Sequence, residues 1–411
     1  MRTSLPILLL YAARGVRGFG DGFATVILPA YLAAVGYDSF EIGVVLSASL
    51  LGTALLTLAV GLIAPRHDLR TLMLPGAALM TLTGVAFPNA GDIVLVAAVA
   101  FIGTINPSTG DLGVLVPLEH AMLARGMVHG ERTQAFARYS LVGALSMAAG
   151  TLAAGAPDFV VGVGIGSLTA FKLMFYLYAA LGVLSALLYR RLPRTPPSAE
   201  RPQAPLGPSR GIVYKLAALF SLDAFAGGFA VQSLIALWLF QRFDLSLSAA
   251  GVFFFWSGVL SAFSYPLAAR LARRIGLVNT MVFTHIPSSV FLILAALSSN
   301  LYLTLGLLLL RAALSQMDVP TRTSYVMAVV TPPERAAAAS VTAVPRSLAA
   351  ATSPGIAGLL LGTAFSGLPL VICGSLKIVY DVVLLLSFRH LKPPEEAAAS
   401  KAAFRAEEKL I

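Results

Sequence analysis

Apolar positions fill this chain in long, near-continuous runs, and the runs fall into two blocks of similar length. Between them lies Arg190–Arg210, the one long internal stretch without hydrophobic periodicity. Its prolines remove backbone donors and fix φ, so the stretch is predicted to be an extended, semi-rigid linker. Its arginines belong in water. A bilayer core about 30 Å thick needs about 20 apolar residues per helix. By that measure each block holds six spans. They lie near 6–35, 40–64, 71–89, 93–124, 133–156 and 168–190, then near 212–240, 246–269, 277–298, 301–330, 336–362 and 368–389. The expected fold is an all-α membrane protein, with twelve transmembrane helices in two pseudo-symmetric six-helix bundles. The expected divisions are a bundle over 1–190, a linker over 191–211, a bundle over 212–390 and a cytoplasmic tail over 391–411. The first apolar run passes Arg14 and Arg17 and continues to Val35 without a convincing cleavage site. It therefore reads as a spanning helix rather than a signal peptide.

Composition sharpens the solvent. Of 411 residues, 57% are hydrophobic and 12% charged, and mean hydropathy is +0.83. A soluble domain cannot hide that much apolar surface, so the solvent is lipid. The net charge of +10 is not a nucleic-acid footprint, because the cations sit on alternate turns. Turns after spans 2, 4, 8 and 10 carry Arg66 and Arg70; Arg125 and Arg132; Arg270, Arg273 and Arg274; and Arg335. The opposite turns carry Asp38, Glu41, Asp92, Asp158 and Asp244, with Arg242 as the clear cation. This asymmetry predicts cytoplasmic termini and a cytoplasmic linker. The expected location is the plasma membrane, as in a bacterial inner membrane. Cys373 is the single cysteine, so no intrachain disulfide forms.

The two blocks also repeat one another. Gly22-Phe23-Ala24 with Tyr37-Asp38 matches Gly228-Phe229-Ala230 with Phe243-Asp244. Glu131-Arg132 matches Glu334-Arg335, and Asp111 on span 4 matches Asp318 on span 10. Six plus six helices, a cytoplasmic linker and basic turns after spans 2 and 8 resemble the major facilitator superfamily. The resemblance covers the whole chain at the level of architecture. The family's turn signature is Gly-x-Leu-Ala-Asp-Arg-x-Gly-Arg. Here the turns read Gly61-Leu62-Ile63-Ala64-Pro65-Arg66-His67-Asp68-Leu69-Arg70 and Ala269-Arg270-Leu271-Ala272-Arg273-Arg274-Ile275-Gly276. Both copies lose the acid that helps latch the family's inner side.

Charges inside the membrane mark candidate chemistry, since each costs at least about 2.5–3.5 kcal/mol unless paired or hydrated. Four acids stand out: Asp21, Asp111, Asp223 and Asp318, on spans 1, 4, 7 and 10. The resemblance implies that these four helices line a central cavity. Arg17 and Asp21 are four apart, on one helical face. Asp318 and Arg322 repeat that spacing, with Arg311 earlier on the same span and Arg346 on span 11 as further cations. Asn106-Pro107-Ser108-Thr109-Gly110-Asp111 breaks span 4 with turn-forming residues, which points to a binding site. Gln232 on span 7 adds hydrogen-bonding capacity. Lys377 and Asp381 on span 12 read as a structural pair. Glu119 and His120 read as headgroup-level residues, His285 as a packed polar group, and Trp238 as an interfacial anchor.

Metalloprotease, hydrolase-elbow and phosphate-loop motifs are all missing from the sequence. The expectation is no enzyme, no cofactor and no metal. The chain is expected to be a secondary active transporter working by alternating access, a monomer whose partners are a small-molecule substrate, protons and the bilayer. The leading expectation is proton-coupled export of a small organic or amphipathic compound. The alternatives are uptake or facilitated diffusion of an organic anion held by Arg311, Arg322 or Arg346, and a lipid transporter or membrane sensor on the same fold.

Overall fold

A computed structural model describes residues 5–108, 113–125, 132–194 and 206–391. Asp111, Glu131, most of the linker and the tail lie outside the described residues. Every regular element described is helical. The first half contains α1 (Leu5–Val35), α2 (Ser39–Ile63), α3 (Leu69–Ala86), α4 (Ile93–Ile102), α5 (Leu115–Arg125), α6 (Arg132–Ala153), α7 (Ala156–Gly162) and α8 (Ser167–Arg190). The second contains α9 (Arg210–Gly228), α10 (Gln232–Phe243), α11 (Leu247–Ile275), α12 (Leu277–Leu297), α13 (Leu301–Ser315), α14 (Asp318–Val329), α15 (Arg335–Leu361) and α16 (Leu368–Phe388). Among the described residues, ten spans are long and apolar enough to cross a membrane. The other two expected spans are the split α4–α5 and the more polar α15.

Local chemistry sets the helix starts. Asp38 accepts from the Glu41 N–H at 2.8 Å while Glu41 accepts from the Asp38 N–H at 2.9 Å, a reciprocal cap on α2. Asp68, Asp92 and Asn300 cap α3, α4 and α13 in the simpler way. Three spans are broken in the middle. Span 4 stops after Ile102, where the Asn106 carbonyl takes the Ser108 N–H at 2.8 Å in a side-chain turn. Span 7 breaks between α9 and α10, and span 10 breaks at Gln316–Met317. The break in span 10 comes before Pro320, which sits in the first turn of α14, where its missing N–H costs little.

The helices pack as two units. One unit holds residues 1–200, 227–262 and 350–369; the other holds 201–226, 263–349 and 370–411. In the first, α1 lies against α6 so closely that a Cβ at Gly22 would stand 2.1 Å from the Met147 carbonyl oxygen. One at Gly150 would stand 2.1 Å from that of Phe19. Small residues permit this approach, and dispersion and backbone contact replace the hydrophobic drive that lipid cannot supply. At the end of this unit bearing Asp38 and Asp158, elements of both sequence halves meet. Ser248 donates to Asp158 through its N–H at 2.8 Å and its hydroxyl at 2.7 Å. A Cβ on Gly358 of α15 would fall 2.2 Å from the Ser39 carbonyl oxygen. Deeper in the same unit, Gln232 donates to the Thr25 hydroxyl at 2.9 Å, and Ser233 donates to the Thr25 carbonyl at 2.6 Å. Trp238, expected at the interface, is fully buried with its ring edge-on to Phe243. The second unit has its own apolar core around Phe220, Met281, Tyr325 and Phe388.

Candidate functional site

Each unit buries its own ion network. In the first unit four spans converge on Glu119, which is wholly buried on α5. Arg17 of α1 forms an ion pair with it. Tyr139 of α6 donates to it, and so does Tyr189 of α8 at 2.6 Å. Arg14 lies 5.4 Å from the centre of the Tyr139 ring, a cation–π contact. Glu119 is therefore enclosed by other helices rather than open at the protein surface. It sits within the bundle because three donors, one of them a cation, offset the cost of taking a carboxylate out of water.

That arrangement changes the partner of Asp21. The helical spacing expected Arg17 to pair with it, but Arg17 is committed to Glu119. Asp21 instead accepts from the Tyr178 hydroxyl at 3.3 Å, and Thr104 meets that same hydroxyl at 3.0 Å. Asp21, Arg17, Thr104 and Tyr178 line one cleft, together with Gly113 and Leu115 at the start of α5. Asn106 is buried nearby in the chain break, and its Nδ2 has no hydrogen-bond partner among the described residues.

The second unit organises itself around Asp223 on α9. Lys377 of α16 donates to Oδ1 at 2.6 Å, and Arg322 of α14 donates to Oδ2 at 3.3 Å. Arg322 also reaches Asp318, one turn earlier, at 2.9 Å, and lies over the Phe220 ring. His285 of α12 bridges outward. Its Nδ1 stands 3.1 Å from Asp381, and its Nε2 stands 3.4 Å from the Lys377 ammonium. An ammonium only donates, so Nε2 accepts from it, and Nδ1 carries the proton given to Asp381. The expected Lys377–Asp381 pair is thus replaced by two cross-helix contacts. Both residues reach across the bundle rather than along their own helix: Lys377 meets Asp223, itself a buried ion in need of compensation, and Asp381 takes the His285 N–H. The Asp318–Arg322 spacing does pair.

Of the residues expected at a site, Arg17 and Asp21 meet in the first unit, with Asn106 and Gln232 on the breaks of spans 4 and 7. Asp223, Asp318 and Arg322 meet in the second. Arg346 has a buried Nε without a hydrogen-bond partner among the described residues. Arg311 is near Cys373, and its backbone carbonyl accepts from Ser288 at 3.3 Å. Sequence reasoning missed Glu119, Tyr178, Tyr189, His285 and Lys377 as members of these networks. Their signal was present as polar atoms inside apolar windows. Among the described residues no group of three or more His, Cys, Asp or Glu side chains is placed to hold a metal ion.

Long apolar helices, broken spans and a buried ion network in each unit define a polytopic membrane protein of the transporter class. The model of the Major Facilitator Superfamily matches residues 10–240 and 216–409, and the chain belongs to that family, whose members are transporters rather than enzymes. The uncharacterized membrane protein YJR124C of Saccharomyces cerevisiae is 25% identical over 424 aligned residues, covering 94% of each chain. Among solved structures, a bacterial homologue of the human lysosomal transporter Spinster superposes with a TM-score of 0.69 at 16% identity. That match covers 92% of this chain and 94% of the other. The nucleoside transporter NupG superposes with a TM-score of 0.70 at 14% identity, covering 94% and 99%.

Proposed function

We propose that the chain is a secondary active transporter working by alternating access, and that it couples protons to export of a small organic or amphipathic compound. The observation that carries this reading is the setting of Asp21. It accepts a hydrogen bond from a neutral tyrosine hydroxyl, while the guanidinium one turn away is bound by Glu119. A carboxylate in a membrane span without its own counter-ion is a site for a proton. Protonation removes the charge and weakens the acceptor that Tyr178 uses, so proton occupancy changes the contact between α1 and α8. Two access states that expose Asp21 to opposite sides then exchange protons with opposite compartments. With the basic turns facing the cytoplasm, both termini lie there and the host membrane is the plasma membrane.

The test is transport into proteoliposomes under an imposed pH gradient, after a thermal-shift screen has found a substrate. Asp21→Asn fixes the protonated form. It is expected to abolish uphill accumulation and leave exchange measurable. Uphill transport by Asp21→Asn equal to the parent, with loss of coupling on neutralising Asp223 or Asp318 instead, would move the proton site to the second unit. A second reading, movement of an organic anion, is favoured by the unpaired Nε of Arg346.

A further inference from the structure

The spans of the second unit bury more cation than carboxylate. Away from the helix ends they carry Arg311, Arg322, Arg346 and Lys377 against Asp223, Asp318 and Asp381. All three acids are committed: Asp223 to Lys377 and Arg322, Asp318 to Arg322, and Asp381 to His285. His285 bridges its two neighbours as a neutral imidazole and does not change the balance. Arg346 forms no ion pair among the described residues. Asp223 and Asp318 are within electrostatic reach of it, but Arg322 stands among them and repels it. Its Nε is buried without a hydrogen-bond acceptor among the described residues. Arg311 also forms no ion pair among the described residues, and the group acting on it is the thiol of Cys373. Next to Arg346, Pro345 removes the N–H that would bond the Val341 carbonyl, so the backbone there also has spare polar capacity.

We propose that Arg346 recognises an oxyanion, a carboxylate or phosphate monoanion, carried by the transported compound. A guanidinium presents paired N–H donors in a planar fork that matches either group. One such charge balances the net excess of one cation among these seven span residues. A loaded unit therefore carries less uncompensated charge through lipid than an empty one. This inference rests on the transporter reading and names the substrate's chemistry, independent of the direction of movement.

The probes are benzoate and diphenyl phosphate, both monoanions at neutral pH, with benzyl alcohol and benzylamine as neutral and cationic counterparts, added to the full chain in lipid nanodiscs. The expected result is a saturable rise in unfolding temperature with both anions and none with the other two. Arg346→Gln is expected to weaken anion binding about tenfold to a hundredfold, the range for losing a charge-assisted hydrogen bond. Arg346→Lys keeps the charge without the fork and is expected to fall between, which covers the case of a poorly folded glutamine variant. Arg242→Gln, at an exposed position, is expected to bind like the parent. No anion effect on the parent, an equal effect of the alcohol, or unchanged binding by both Arg346 variants would overturn the proposal. Failure of gradient-driven transport in the parent, with anion binding intact, would instead sink the transporter reading and leave this site standing.

Discussion

Lys377 donates to Asp223 across the bundle at 2.6 Å, although Asp381 lies one turn away on its own helix. The contact joins α16 to α9, and His285 then joins α16 to α12. A helix that would otherwise be held by apolar contact alone is therefore tied to two neighbours by ions. Breaking such a pair on one side costs more than removing both partners, because the surviving charge stays buried.

Lys377→Met is therefore expected to destabilise the chain by about 3 kcal/mol, at the low end for a broken buried pair, because Arg322 still reaches Asp223. The double change Lys377→Met with Asp223→Asn is expected to recover part of that loss. Thermal unfolding of purified protein measures both. A double variant no more stable than the single one would show that the pair is not electrostatically coupled.

The Glu119 hub predicts a ranking. Glu119→Gln leaves Arg17 in the membrane without its ion-pair partner and is expected to be the most damaging, again by about 3–5 kcal/mol. Tyr189→Phe removes one hydrogen bond and is expected to cost about 1–3 kcal/mol. Unfolding temperatures in that order support the hub. Equal tolerance of both changes would refute it.

The α1–α6 contact predicts a steric effect with a built-in control. Gly22→Val places side-chain atoms where the Met147 carbonyl already stands, and is expected to prevent recovery of folded protein. Gly61→Ala meets nothing within 4 Å and is expected to be neutral. Size-exclusion profiles of the two variants decide the matter.

Outside the spans, Glu334 clamps the chain where it enters α9. It accepts from the Gly207 N–H, from the Ser209 hydroxyl at 2.7 Å and from the Thr331 hydroxyl. These donors favour the ionised form and lower its pKa from 4.5 to about 2. The clamp therefore contributes fully above the ordinary value and is lost as pH falls toward 2. Hydrogen exchange in the first turn of α9, corrected for intrinsic rates, is expected to stay flat from pH 8 to pH 5 and to rise below pH 4. Glu334→Ala should show the faster exchange from pH 8 to pH 5, with the difference closing as pH falls toward 2.

The sequence made the spans legible because lipid allows few solutions for a polar backbone, and apolar length reports them directly. The break at Asn106–Ser108 was legible for the same reason, since turn-forming residues inside an apolar window have one use. Partner choice was not. Four-residue spacing tests only a residue's own helix. It succeeded for Asp318 and Arg322, and it failed for Arg17 and Lys377, whose carboxylates come from α5 and α9. Glu119 was read as a headgroup-level residue from its place near the end of an apolar run, and that place gives no sign that other helices enclose it. Its three buried partners, Arg17, Tyr139 and Tyr189, are spread over 172 positions of sequence, from 17 to 189, and no local pattern joins them.

Cys373 is fully buried on α16 and is the chain's one thiol. Its inaccessibility turns the unaltered protein into its own stopwatch. A maleimide reaches that sulfur only when the second unit opens, so the labelling rate in excess reagent reports how often the unit unfolds or breathes. Variants of Asp223, His285 and Lys377 can be ranked on that clock without a fluorescent tag, a ligand or a known cargo.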